Sequence, residues 1–257
     1  MKNKNHLKSI FAFAGVIFLS ASSGKAVVLI DFGNAASYRG ASVVGADANG
    51  NFWNSINSGV YWSNLNDITG AATTVDFGFS GGVGGTDSYN GPAGATSNPL
   101  LASEIAATDI DSVALGLLGG AKEAAMDFYN GTNMRFEIAG LNPGQQWTLK
   151  FFGSAKWTAD ATTIYSIYDN SAYTGAALGT ASLNIRNSSS GWLHNRDTVA
   201  TLTVTPNANG AVYVNVVGSA GGRGYLNAMS VESVPEPSVA SLLTLGSMAL
   251  LALRRRR

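Results

Sequence analysis

Four stretches of this chain alternate apolar and polar residues with period two, a pattern that half-buried β-strands satisfy and helices do not. Thr73, Val75, Phe77 and Phe79 alternate with Thr74, Asp76 and Gly78, and Met134, Phe136 and Ile138 with Arg135 and Glu137. Trp147, Leu149 and Phe151 alternate with Thr148 and Lys150, and Val212, Val214 and Val216 with Tyr213 and Asn215. Antiparallel sheets with one face on a core and one in water leave this signature. Further strands are expected over 27–32, 162–168, 180–185, 198–204 and 224–231. Asn142-Pro143-Gly144 and the Pro-Asn-Ala-Asn-Gly segment at 206–210 supply turn chemistry between runs. Only 101–107 and 121–128 pattern as helix, and both are short. Without crossover helices or an internal repeat, the expected architecture is an all-β sandwich.

Composition narrows the chemistry. The 257 residues include no cysteine, which excludes disulfides, thiol catalysis, zinc–thiolate sites and lipidation on Cys. The formal net charge is zero, but eight of the sixteen basic residues sit at the ends: Lys2, Lys4, Lys8, Lys25 and Arg254 to Arg257. Residues 27–233 therefore hold eight basic against fifteen acidic side chains, a net charge of about −7. A domain of that charge is unsuited to neutralising phosphates, so nucleic acid is not expected as a partner.

The two ends read as addresses. Lys2, Lys4 and Lys8 precede an apolar run over 10–19 and a small-residue segment ending Gly24-Lys25-Ala26. This is the charged, apolar and cleavable order of a secretory signal, with cleavage expected at Ala26. The expected partners are the secretion translocase and signal peptidase. At the other end Pro235, Glu236 and Pro237 precede an apolar segment over 239–253 and then Arg254, Arg255, Arg256 and Arg257. Fifteen helical residues reach about 22 Å, short of a hydrocarbon core near 30 Å, and snorkelling arginines extend the reach. Positive charge stays cytoplasmic, so the segment is expected to be a hydrophobic stop-transfer helix with the domain outside.

Motif, apolar span and basic cluster, in that order over 234–257, resemble the PEP-CTERM sorting signal of bacteria that produce extracellular polysaccharide. The resemblance implies recognition by an exosortase-like membrane protease, which cleaves near Pro235, Glu236 and Pro237. It also implies transient anchoring through the C-terminal helix, then residence on the cell surface or in the extracellular matrix. The expected organisation is a signal peptide at 1–26, a β-sandwich at 27–233 and a sorting signal at 234–257.

Several phrases of the central region resemble a galactose-binding-like jelly roll. They are Ile30-Asp31-Phe32-Gly33, Phe52-Trp53-Asn54, Phe136-Glu137-Ile138-Ala139-Gly140-Leu141, Phe151-Phe152-Gly153-Ser154 and Gly224-Tyr225-Leu226-Asn227-Ala228. The resemblance implies a jelly-roll type β-sandwich and speaks to fold more than to ligand.

Catalytic constellations are sparse. Gly78-Phe79-Ser80-Gly81-Gly82 has the G-x-S-x-G spacing of a nucleophile elbow, but Val83, Gly84 and Gly85 follow where a helix is needed, so a flexible Gly-rich loop is expected. His194 is the one histidine outside the leader. A glycosidase needs two carboxylates across a cleft, and Asp76 and Glu137 are expected on solvated strand faces. Asp109 and Asp111 offer oxygens for a structural calcium but lack the Gly and Glu of a dedicated loop. The sequons at Asn130 and Asn187 are read as chance in a bacterial chain. No cofactor and no enzymatic activity are expected.

Aromatic residues are the suggestive feature, because all five Trp and nine Tyr lie in the central region. Sugars present C–H faces that stack on such rings. Trp147 shares the phase of Leu149 and Phe151 and is expected in the core. Trp157 and Trp192 read as loop residues and are the first candidates for ligand contact, with Trp53 and Trp62, which flank an Asn- and Ser-rich stretch, next. The expected function is non-catalytic binding of extracellular polysaccharide; a matrix or adhesion protein without specific ligand ranks second, and a polysaccharide-active enzyme third.

Overall fold

The segment Val27–Phe32 (VVLIDF) is buried at every position, unlike the alternating runs. A strand needs apolar residues in succession only when both faces of its sheet are covered, and this strand lies in such a sheet. The computed structural model describes residues 26–33, 43–57, 60–87, 110–125, 127–155, 162–185 and 194–235. Lys25–Val234 form one compact unit. The leader, the apolar segment at 239–253, Glu236, Pro237, Arg254 to Arg257 and the helix expected at 101–107 lie outside the described residues. Among the described residues no helix is long and apolar enough to cross a membrane.

In chain order the strands are β1 (Val27–Phe32), β2 (Gly45–Ala46), β3 (Phe52–Ile56), β4 (Tyr61–Trp62), β5 (Asp76–Gly81), β6 (Gly85–Asp87), β7 (Phe128–Gly131) and β8 (Met134–Ala139). They continue as β9 (Trp147–Phe152), β10 (Thr162–Tyr168), β11 (Gly179–Asn184), β12 (Ala200–Val204), β13 (Val212–Gly218), β14 (Gly224–Leu226) and β15 (Ala228–Ser233). Sheet A runs β12-β9-β15-β1-β3-β2, sheet B runs β11-β10-β13-β8-β5-β4, and β14-β7-β6 form a smaller third sheet. Pairing is antiparallel except between β1 and β3, where Leu29 aligns with Trp53 and Asp31 with Ser55. The chain is therefore an all-β sandwich of two large sheets.

One core cluster fills the space between the sheets. Val28, Ile30 and Phe32 meet Phe77, Phe136, Ile138, Val214 and Tyr165, all buried. The alternation in β8, β10 and β13 sends these side chains inward and their neighbours out. Phe151 stacks on Tyr165 with centroids 4.6 Å apart, and Phe32 meets Phe77 edge-on at 5.3 Å.

A second cluster covers the other face of sheet A. Val27, Leu29, Trp53, Phe152 and Ala228 from the strands pack against Ile110, Leu115, Leu118, Ala121, Ala124 and Ala125. The covering segment holds one short helix, α1 (Ser112–Leu115), and 3-10 turns at Gly116–Gly119 and Glu123–Ala125. Asp111 caps α1 by accepting from the N–H of Val113 (3.1 Å) and Ala114 (3.0 Å). The carboxylate read as a calcium candidate thus holds a helix end, and Asp109 lies outside the described residues.

Three expectations need correction. The helix expected at 121–128 is a single 3-10 turn, because Phe128 already begins β7. The strand expected at 224–231 breaks at Asn227, whose Oδ1 accepts from Ser154 N–H (2.8 Å) and whose Nδ2 donates to Ala125 O (3.0 Å). That side chain ties the phrases at 151–154 and 224–228 to the covering segment. The Gly-rich stretch after Ser80, expected as a loop, runs into β6 after a short connection.

Candidate functional site

Among the described residues, the outer face of sheet B has no second cluster like that on sheet A, and register decides what stands on it. Tyr61 aligns with Gly78, Gly78 with Glu137, Glu137 with Tyr213, and Tyr213 with Tyr168. These five residues form one row across β4, β5, β8, β13 and β10. Neighbouring strands lie about 4.8 Å apart, so the row crosses roughly 19 Å. The next row carries Arg135, Asn215, Ser166 and Thr180.

The tyrosines are fixed by carboxylates and by glycine. Tyr61 is 59% exposed and donates its O–H to Asp76 Oδ2 at 2.7 Å, while Asp76 Oδ1 accepts from Asn64 N–H at 2.7 Å. A Cβ at Gly78 would stand 2.9 Å from the Tyr61 ring, so glycine lets that ring lie against the sheet. Tyr213 stands directly opposite Glu137 in the neighbouring strand. The phenol of Tyr61 is raised above its ordinary range by the hydrogen bond to Asp76. Desolvation, then the Glu137 charge, raises that of Tyr213.

The turn after β10 folds over one end of the face and inserts Tyr173. Its ring lies 4.7 Å from the Arg135 guanidinium carbon, edge-on to Tyr168 and Tyr213 at 6.0 Å each, and its hydroxyl bonds Ser80 Oγ. Tyr173 holds this place with φ of +56°, a left-handed conformation that costs a non-glycine residue about 1–2 kcal/mol. Desolvation raises its phenol, against the opposing pull of Ser80 and Arg135.

Of the tryptophans read as ligand contacts, Trp157 and Trp192 lie outside the described residues. Trp53 is a correction: it is fully buried beneath the covering segment and donates Nε1–H to Asp47 Oδ2 at 3.0 Å, so neither ring face is open to a sugar. Trp62 points inward from β4, packing on Phe77 (5.9 Å) and Phe79 (6.2 Å) at the core edge. Trp147 is in the core, as its phase indicated. The residues that sequence reasoning passed over are Tyr61, Tyr168, Tyr173 and Tyr213. Tyr213 is detectable in the sequence, since it falls out of phase with Val212, Val214 and Val216.

Asp76 and Glu137 lie diagonally on this face in adjacent strands, Asp76 opposite Ala139 and Glu137 opposite Gly78. Ser80 lies in β5 with Tyr173 as its partner, and His194 is buried on the loop before β12, where the adjacent Asn195 N–H bonds Ile185 O. Among the described residues no three His, Cys, Asp or Glu side chains gather as a metal site would require. Ala26 pairs with Ser233, its N–H donating to Ser233 Oγ and its carbonyl accepting from Ser233 N–H, both at 2.9 Å, and Pro235 is exposed just beyond.

No family model and no curated protein matches the chain. Among solved structures the chain is similar to the ANXUR1 extracellular domain from Arabidopsis thaliana, with 10% identity and a TM-score of 0.46 over 77% of this chain and 47% of that one. The chain thus spans about half the length of that solved chain.

Proposed function

We propose that this is an exported bacterial protein whose jelly-roll domain binds extracellular polysaccharide without catalysis. The leader directs it through the translocase, and signal peptidase cuts at Ala26. The motif Pro235, Glu236 and Pro237, the apolar segment and Arg254 to Arg257 then present it to an exosortase-like protease, which places it on the surface or in the matrix. Support for this sorting is the order of the two terminal signals.

The observation that carries the binding reading is the in-register row of Tyr61, Glu137, Tyr213 and Tyr168 on the outer face of sheet B. Tyrosine offers a rigid apolar ring with a polar tip, which suits shallow polar ligands. Strands hold such groups more firmly than loops do. A non-catalytic role suits two carboxylates lying on one flat face, since glycoside hydrolysis needs a pair flanking the bond from opposite sides.

Titration of the purified full-length protein on a broad glycan array tests this. Tyr61→Ala and Tyr213→Ala should each weaken binding about 10-fold, the scale of 1.4 kcal/mol for a lost stacking contact. Trp157→Ala and Trp192→Ala in the same series examine the loop alternative. Absence of binding across the array would leave the matrix or adhesion reading in its place. For sorting, intact mass of protein from the native envelope should show a chain beginning near Val27 and ending near Pro235. A surface form that keeps Arg254 to Arg257 would overturn it.

A further inference from the structure

We propose that the glycan taken by this face carries free amino groups, as a de-N-acetylated hexosamine polymer does, in preference to neutral or uronate chains. This rests on the polysaccharide reading above and deepens it.

The charges on the face have a definite arrangement. Outward positions of β4, β5, β8, β10, β11 and β13 carry the carboxylates Asp76 and Glu137 and one cation, Arg135. Arg135 does not face a ligand freely, because the Tyr173 ring lies over its guanidinium and that tyrosine is itself nearly buried. The two carboxylates are half-exposed on this face, Glu137 in the row and Asp76 in the adjacent one, opposite Ala139. Each stands beside a tyrosine: Asp76 accepts from the Tyr61 hydroxyl, and Glu137 lies directly opposite Tyr213 in the register. The motif is thus a carboxylate beside an aromatic face, repeated across the sheet.

That pairing recognises an ammonium group. A cation over an aromatic face is attracted by the ring quadrupole, and a fixed carboxylate beside it supplies the counter-charge. A pyranose ring bearing an ammonium stacks on tyrosine through its C–H face and presents the charge to the adjacent acid. A uronate offers the opposite charge and meets repulsion from Asp76 and Glu137, while a neutral sugar gains stacking and hydrogen bonds alone. The field of the domain points the same way, since residues 27–233 carry about −7 and would steer a polycation inward. Tyr61 and Glu137 are separated by Gly78 alone in the row, so the second acid follows the first ring at the spacing of two strands.

The test titrates the purified full-length protein with glucosamine oligomers, the same oligomers fully N-acetylated, a neutral β-glucan and polygalacturonate. Glucosamine oligomers should bind at least 10-fold more tightly than their N-acetylated counterparts, and the preference should shrink as salt rises. Glu137→Gln and Asp76→Asn should each remove most of it. Glu123→Gln, which loses the same charge on the far side of sheet A, should leave it intact. Equal binding of acetylated and free chains, still lost in Tyr213→Ala, would overturn the amine preference and keep the polysaccharide reading. Tighter binding of polygalacturonate would also overturn it. Glucosamine binding indifferent to Glu137→Gln and Asp76→Asn would place the attraction in the overall charge and overturn the site. No binding to any of the four would overturn both readings.

Discussion

Phe136→Ala should destabilise the domain by about 3–5 kcal/mol, the usual cost of truncating a fully buried phenylalanine. Phe136 is wholly inaccessible and sits in β8, inside sheet B, with sheet neighbours on both sides. Its ring touches Phe77 at 5.0 Å, Phe79 at 6.3 Å and Phe32 at 6.4 Å, the last from the opposite sheet. Loss of the ring therefore removes contacts that join the two sheets as well as the apolar area itself. A paired interior strand cannot move in to fill the gap, so the cost belongs at the upper end of the range. Equilibrium denaturation in urea would read it as a lower midpoint with an unchanged slope. Tyr61→Ala, at an exposed position, should stay within about 0.5 kcal/mol of wild type. A loss below about 1 kcal/mol for Phe136→Ala would mean that the aromatic cluster is not what holds the sheets together.

Much of this core was legible, because period two assigns faces without knowledge of strand order. Phe77, Phe136, Ile138, Leu149 and Val214 follow from their phase alone, and all are buried. What phase cannot give is the far side of sheet A. Trp53 stands among Asn and Ser and reads as a surface ring, yet the segment at 110–125, remote in sequence, folds over it. The same remoteness hid the short helix at Ser112–Leu115, whose cap at Asp111 looked like a loop acid.

The candidate site divides along the same line. That Glu137 and Tyr213 point outward was readable from their neighbours in β8 and β13. That they share a row with Tyr61 and Tyr168 depends on the order β10-β13-β8-β5-β4, which joins segments more than a hundred residues apart. Tyr173 was beyond reach for a different reason. It belongs to a turn, and its place over Arg135 comes from a left-handed backbone that no local pattern announces.

Asp31 should make the domain more stable in mild acid than in mild alkali, a reversal of what paired carboxylates produce. It lies on the outer face of sheet A beneath the covering segment, with no accessible surface. Its Oδ2 accepts from Val43 N–H at 2.7 Å, while Oδ1 has no hydrogen-bond partner among the described residues. On the same face Glu232 has an ion pair with Lys150 at 2.8 Å; around Asp31 stand Glu123 and the Asp127 carboxyl seated over Gly33. Desolvation dominates, the Val43 hydrogen bond opposes it, and the Glu123 charge adds to it, so the carboxyl is pushed up from 3.8 to about 7. The sign follows from proton counts. Between those two values the folded chain holds a proton that the unfolded chain has released, so stability is present in full below 3.8, falls as pH rises through about 7, and is level above. At 1.36 kcal/mol per unit the span is on the order of 4 kcal/mol, or about 10 °C in melting temperature for a domain of this size. Asp67, held low by hydrogen bonds from Thr69, works in the opposite sense but below about pH 4, and it is exposed, so the windows separate. Thermal melts from pH 4.5 to pH 8.5 should therefore fall and then flatten. Asp31→Asn, which keeps an acceptor for Val43 N–H, should flatten the profile and melt above wild type at pH 8. A variant that keeps the wild-type slope would assign the pH dependence to other groups, and a wild-type midpoint that rises from pH 5 to pH 8 would show that Asp31 is charged in the folded chain.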